Sequence, residues 1–351
     1  MNTKVVTIKE DHIDEEAIQE AGQILKNGGL VAFPTETVYG LGGDALNAES
    51  SAKIYAAKGR PSDNPLIVHI AGMDALPLIA AEIPESAYLL ADAFWPGPLT
   101  MIFKKTDRVP MATTGGLSTV AVRMPSNKIA AALIRAAGGY IAAPSANRSG
   151  RPSPTVAKYV IEDLDGRIEM IIDGGFSAIG LESTIIDLTE TKPMVLRPGY
   201  ITPQMLSEVL GEEVIIDPGI IAADDTRKPK APGMKYKHYA PKADMVIVDG
   251  SSDAVVSKIN ALVHQKQENG QKVAVIATEE SGPSYHADVI LSMGSRSNED
   301  AIAQHLYKIL RECDELHVDA IYSESFQTPR IGQAIMNRLL KAAGHTVIHC
   351  D

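Results

Sequence analysis

AESSAKIYAAKGRPSDNPLIVHI, residues 48–70, joins a helix, a stiff cationic loop and a strand in one short run. AESSAKIYAAK (48–58) has an acid near its start and strong helix formers throughout. LIVHI (66–70) is an apolar, β-branched run of strand length. Between them KGRPSDNPL carries Lys58, Arg60, Ser62, Asn64 and two prolines. Helix, short loop and strand are the repeating parts of an α/β sheet, and the chain on both sides continues them. VVTI (5–8) and LVAF (30–33) read as strands around DEEAIQEAGQILKNGG, whose leading acids and trailing Gly28–Gly29 are helix start and stop signals. LTMIFKK (99–105), TVAVRM (119–124), YIAAP (140–144), MIIDGG (170–175), STIIDL (183–188) and MVLRPG (194–199) read as further strands, and 127–138 as a helix. Several strands follow one another with no helix between them, which predicts a mixed sheet.

The alternation stops at DPGIIAADDTRKPKAPGMKYKHYAPKAD, where four prolines and clustered charges read as a linker over 217–243. A second alternation follows: MVIVDG, a helix over 253–269, KVAVIA, DVILSM, a helix over 299–313, AIYSES, a helix over 332–343, and TVIHC. Residues 244–351 therefore read as a smaller Rossmann-like α/β domain behind a catalytic domain over 1–216. No internal repeat or low-complexity tract is visible.

A chain of 351 residues with 45% hydrophobic content has enough length for two such domains. The net charge of −11, from 33 basic and 44 acidic side chains, argues against a broad basic surface for duplex nucleic acid and for DNA in particular. It leaves room for a local cationic pocket. Two cysteines, Cys313 and Cys350, exclude a disulfide framework and point to a reducing compartment. The polar start MNTKVVTIKEDHIDEE lacks a signal peptide's apolar stretch, and no apolar run reaches the roughly 20 residues of a membrane span. The expectation is a cytoplasmic protein with no membrane partner.

Standard nucleotide and hydrolase motifs are missing. There is no P-loop and no G-x-S-x-G elbow. GLGGDA (40–45) meets a loose dinucleotide pattern, but PTETVY separates it from its strand, so it reads as a Gly-rich turn rather than a nicotinamide site. His345 and His349 beside Cys350 sit in what reads as a frayed tail, and no metal-ligand spacing occurs elsewhere.

The chemistry lies in two loops far apart in sequence. The first is KGRPSDNPL, followed by His69 on the next strand. The second is APSANRSGRPSPT, with Ser145, Asn147, Arg148, Ser149, Arg151 and Ser153. Prolines stiffen both. Guanidinium forks, ammonium groups and hydroxyls on rigid turns at strand ends suit a polyphosphate. Taken singly, each loop reads better as a solvated surface turn; two such loops, each at a strand end of an α/β sheet, shift the balance toward a ligand site. PTETVYG (34–40) presents Thr35, Glu36 and Thr37 after an apolar strand, where the last two read as a helix cap or a turn. Arg123 ends an apolar strand; ESTIID contributes Ser183 and Thr184, and LRPG contributes Arg197.

PTETVYGLG, KGRPSDNPLIVHI, WPGPLT, TVAVRMP, APSANRSGRPSPT, ESTIID and LRPG, in this order, resemble the catalytic domain of the YrdC-like threonylcarbamoyl-AMP synthases. APGMKYKHYAP (231–241) resembles the linker of the two-domain members, and GQAIMNRLLKAA (332–343) resembles their carboxyl-terminal domain. The resemblance spans nearly the whole chain. It implies an open twisted α/β sheet with a cationic cavity, and synthesis of threonylcarbamoyl-AMP from L-threonine, bicarbonate and ATP with release of pyrophosphate. It also implies a downstream transferase complex that modifies tRNA beside the anticodon. By the same resemblance Lys58, Arg60, Ser145 and Asn147 are catalytic. Thr35, His69, Arg123, Ala143 and Ser183 bind threonine. Lys58, Ser62, Thr119, Ser145, Ser153, Arg197 and Tyr236 bind ATP. Magnesium would travel with the nucleotide and keep several waters, so no carboxylate cage is expected. Tyr236 or Tyr239 resembles a residue that reaches back over the cavity, making the linker either a lid or a plain tether. The alternative to an enzyme is a module that binds nucleotide or RNA without turnover.

Overall fold

The structure, a computed structural model, describes residues 2–222 and 239–351 of the chain. The described residues divide into two compact units: 2–149 with 153–178 and 182–222, and 150–152 with 179–181 and 239–351.

The first unit is built on strands β1 (Lys4–Thr7), β2 (Val31–Phe33), β3 (Gly40–Asp44), β4 (Ile67–His69), β5 (Leu99–Lys104), β6 (Thr119–Arg123), β7 (Ile141–Ala143), β8 (Met170–Asp173), β9 (Thr184–Asp187), β10 (Met194–Arg197) and β11 (Ile215–Ile216). They form one sheet in the order β1-β8-β2-β3-β7-β4-β6-β5-β9-β10-β11. Its pairings are mixed, as the uninterrupted strand runs predict: β4 runs parallel to β6 and antiparallel to β7. The helices are α1 (Glu15–Lys26), α2 (Ala48–Lys58), α3 (Leu76–Ile79), α4 (Glu85–Phe94), α5 (Lys128–Ala136), α6 (Ala157–Leu164), α7 (Pro203–Leu210) and α8 (Pro218–Ala222).

Alternation along the short central strands sends side chains to both faces, and both are covered. Val31 and Phe33 of β2 and Ile141 and Ala143 of β7 join one apolar cluster with Ile18 and Leu25 of α1 and Leu133 of α5. Ala32, Leu41, Val68 and Ala142 join the other, with Ile54 of α2, Leu90 of α4 and Val160 of α6. Asp14 caps α1 by accepting from Ala17 N, and Asn127 caps α5 by accepting from Ala130 N.

Three expectations change. GLGGDA is not a turn: Gly40–Asp44 is a buried strand paired with β2 and β7. Glycine weakens a strand in isolation, but packing dictates it here. A Cβ on Gly42 would lie 2.8 Å from Ile141 Cγ2 and 3.0 Å from the Phe33 ring. The beginning of the segment read as linker is the short helix α8, while 223–238, including Tyr236, lies outside the described residues. The carboxyl end is not frayed, because Val347–Cys350 is a strand.

The second unit holds β12 (Asp244–Gly250), β13 (Val273–Ala277), β14 (Val289–Ser292), β15 (Ala320–Glu324) and β16 (Val347–Cys350). All pairings are parallel, in the order β14-β13-β15-β12-β16. The helices are α9 (Ser252–Glu268), α10 (Glu299–Glu315) and α11 (Gly332–Ala342). VAVIA of β13 is buried at every residue, as parallel strands covered on both faces are. His349 on β16 faces Asp249 at 3.4 Å, while His345 precedes the strand in a left-handed turn. The two histidines therefore belong to different local structures.

Candidate functional site

Sheet topology decides whether the two cationic loops meet. β4 and β7 are antiparallel, with Ile67 opposite Ala143. The loop entering β4 and the loop leaving β7 therefore emerge at the same sheet end. Helix α2 delivers Lys58 as its last residue, and Gly59 turns the chain in the left-handed conformation (φ 63°), where a side chain would be strained. Lys58 is 3% exposed. Its Nζ donates to Asn147 O at 2.5 Å and to Ser145 O, and lies 3.5 Å from Asn147 Oδ1. These oxygens are neutral acceptors that orient the ammonium group. Ser145 Oγ donates to Asn147 Oδ1 at 2.5 Å, and Ser149 N donates to Lys58 O at 2.9 Å. The second loop is held in turn by the segment around β3: Leu41 N donates to Pro144 O and Ala146 N to Tyr39 O.

Arg60 lies on the same loop but folds back on it, donating to Asn64 O and Pro65 O at 3.2–3.4 Å. Ser62 is exposed, and Thr119 is half-buried at the start of β6. The described contacts join neither to Lys58.

A second cluster forms around Arg123, which lies beside His69 in the β4–β6 register and opposite Thr100 in β5. Arg123 is not the solvated strand-end charge its position suggests; it is 4% exposed. Its Nε donates to Gly97 O at 3.3 Å, Nη1 to Thr37 Oγ1 at 2.8 Å and Nη2 to Glu36 Oε1 at 2.6 Å. Thr35 donates to Val38 O at 2.6 Å, so the 2.9 Å contact between Thr35 and Thr37 is donated by Thr37. PTET is thus more than a plain turn: Thr35 Oγ1 accepts from Thr37 N and Val38 N within the segment, while the Thr37 hydroxyl and the Glu36 carboxylate accept from a buried guanidinium. Ala143 is buried on β7.

Ser183 links further predicted residues. It sits 2.7 Å from Thr100 Oγ1, and Arg197 donates to it twice at 3.0 Å, from Nη2 to its Oγ and from Nε to its carbonyl. Ser153 donates to Glu182 Oε1 at 2.7 Å, one residue before Ser183. Residues that the resemblance divides between threonine and ATP are therefore bonded to one another. Glu36, Thr37, Thr100 and Glu182 are contacts that sequence reasoning did not assign to the site, although all four lie within the motifs PTETVYGLG, WPGPLT and ESTIID.

His69 is buried, with Nδ1 3.1 Å from Ile67 O and its ring edge-on to Phe33. Burial, and then the Arg123 charge, lower its pKa from 6.5 to about 3. It is a neutral imidazole near pH 7. The unfolded chain takes up this proton below its ordinary pKa while the folded chain refuses it until about 3. Stability from this group is complete above the unfolded value and is lost as pH falls through the window between the two. Across that window His69 contributes a slope of up to about 1.4 kcal/mol per pH unit. His69→Gln is expected to flatten the pH dependence of urea unfolding between pH 6 and 4; an unchanged slope would contradict this account.

A family model described as telomere recombination, of the Sua5/YciO/YrdC type, matches residues 23–199. A second, described as threonylcarbamoyl-AMP synthase, C-terminal domain, matches residues 201–344. A threonylcarbamoyl-AMP synthase of Pyrococcus abyssi is 49% identical over 347 residues, covering 99% of each sequence. One of Bacillus subtilis is 49% identical over 332 residues, covering 94% of each. The solved structure of P. abyssi Sua5 complexed with L-threonine superposes with a TM-score of 0.94 at 48% identity, covering 99% of each chain.

Proposed function

The chain belongs to the Sua5/YrdC family of threonylcarbamoyl-AMP synthases, and from that premise we propose how its own residues make threonylcarbamoyl-AMP. The substrates are L-threonine, bicarbonate and ATP, and pyrophosphate leaves. The amine of threonine takes up the bicarbonate carbon, and a carbamate oxygen then displaces pyrophosphate at the α-phosphorus. Such a sequence asks the protein mainly for alignment and for charge where the phosphates gather. Lys58, held by the Ser145 and Asn147 carbonyls, supplies a fixed cation. Arg60, Ser62, Thr119, Ser153 and Arg197 complete the nucleotide side. Thr35, His69, Arg123, Ala143 and Ser183 form the threonine side, with Arg123 receiving the α-carboxylate.

The tie between Lys58 and the Ser145–Asn147 loop carries this reading, because it joins two distant cationic turns at one sheet end. The side chains at that tie are one ammonium, one hydroxyl and one amide. They fit a magnesium ion carried on the phosphates, not one ligated by protein carboxylates. Residues 1–216 form the catalytic domain, 217–243 the linker with Tyr236, and 244–351 the second domain. The product passes to a transferase that modifies tRNA. Among the described residues no helix is long and apolar enough to cross a membrane, and both cysteines are free, in keeping with a cytoplasmic setting.

The test is pyrophosphate release from ATP and magnesium. Release should depend on both threonine and bicarbonate; release that ignores either, or none at all, would defeat the reading.

A further inference from the structure

We propose that Glu36 is a catalytic residue of the threonine pocket, receiving the substrate's α-ammonium on Oε2 and one of its protons before carbamoylation; this rests on the threonine reading given above. Glu36 is about nine-tenths buried at its side chain, and only one of its carboxylate oxygens is paired, with Arg123 at 2.6 Å. Oε2 is buried with no hydrogen-bond partner. A buried carboxylate oxygen left unmatched is costly, and native proteins rarely keep one without a use.

Arg123 supports the same reading. A guanidinium has five N–H donors. Gly97, Thr37 and Glu36 take one each, from Nε, Nη1 and Nη2. One N–H remains on each terminal nitrogen, leaving two donors for a carboxylate. Charge then sets where the ammonium goes. Arg123 and Glu36 cancel, and the His69 imidazole is neutral. An α-carboxylate arriving alone would leave this buried group net negative, which is unfavourable away from water. The α-ammonium restores neutrality if it lies beside the unmatched Glu36 oxygen. The other buried carboxylate of the cluster, Glu182, accepts from Ser153.

The proton accounting is complete. The ammonium gives one proton to the Glu36 carboxylate, leaving a neutral amine and a carboxylic acid. The amine nitrogen bonds to the bicarbonate carbon, the C–OH bond breaks, and the departing hydroxyl takes a second nitrogen proton to leave as water. Glu36 then returns its proton to solvent.

Calorimetry without ATP or bicarbonate tests the assignment, with L-threonine and with 2,3-dihydroxybutanoate, which keeps the carboxylate but replaces the amine by hydroxyl. Wild-type protein is expected to prefer threonine by about tenfold or more, the usual worth of a charge-assisted hydrogen bond. Glu36→Gln should abolish that preference by weakening threonine, while the hydroxy acid binds at least as well as it does to wild type, because its carboxylate then meets an uncancelled Arg123. Glu36→Asp should retain the preference. Equal losses for both ligands would reduce Glu36 to a positioning residue for Arg123 and overturn the proposal. So would a wild-type protein that binds the two alike, a result that needs no variant to fold. If neither ligand binds the wild type, the threonine reading of the pocket itself fails.

Discussion

Lys58→Ala lowers turnover by about a hundredfold to a thousandfold, the loss typical of removing one preorganised charge from a site where charge is handled. Threonine affinity changes little, because the residues assigned to the amino acid are organised by Arg123, Thr37 and Glu36. The fold survives with a modest penalty. Ser145 O and Asn147 O lose a donor, which costs about 1–3 kcal/mol if water does not replace it. Single-turnover pyrophosphate release, threonine calorimetry and thermal unfolding separate these effects. A rate within tenfold of wild type would remove Lys58 from the catalytic set.

Arg123→Met acts on both stability and binding. It leaves the Glu36 carboxylate buried beside a thioether side chain, and breaking a buried ion pair from one side costs about 3–5 kcal/mol. It also removes the fork assigned to the α-carboxylate, so threonine binding should become undetectable. Adding Glu36→Gln to Arg123→Met is expected to recover much of the lost stability, since the stranded charge is gone, but none of the binding. Denaturant unfolding of the four proteins in this cycle reads the coupling directly. If the double variant is as unstable as Arg123→Met alone, the destabilisation does not come from an unpaired carboxylate.

The mixed α/β class, both domains and the two cationic loops were legible because their signals are local: alternating strand and helix patterns, and basic residues on proline-stiffened turns. Glu36 was not legible as a partner. Its neighbours permit a cap or a turn, and the guanidinium that claims it is 87 residues away. That contact depends on sheet order, which local periodicity does not carry. GLGGD misled for the opposite reason. Its glycines argue against a strand, and only the crowding by Phe33 and Ile141 explains why a side chain is excluded there. Arg60 shows what spacing does not carry: it stands two residues from Lys58, and its guanidinium donates to Asn64 O and Pro65 O of its own loop, while Lys58 reaches across to the second loop.

The contacts that assemble the site join residues 87 apart at Lys58–Ser145, 86 at Arg123–Thr37 and 83 at Thr100–Ser183. Long loops must close before any of these contacts rewards the chain, which makes such topologies slow to form. Competence to bind substrate is therefore expected to arrive late in folding, once the strands of the first unit have paired. Recovery of activity during refolding should lag behind recovery of helix content, making ligand binding a strict reporter that the whole sheet has closed.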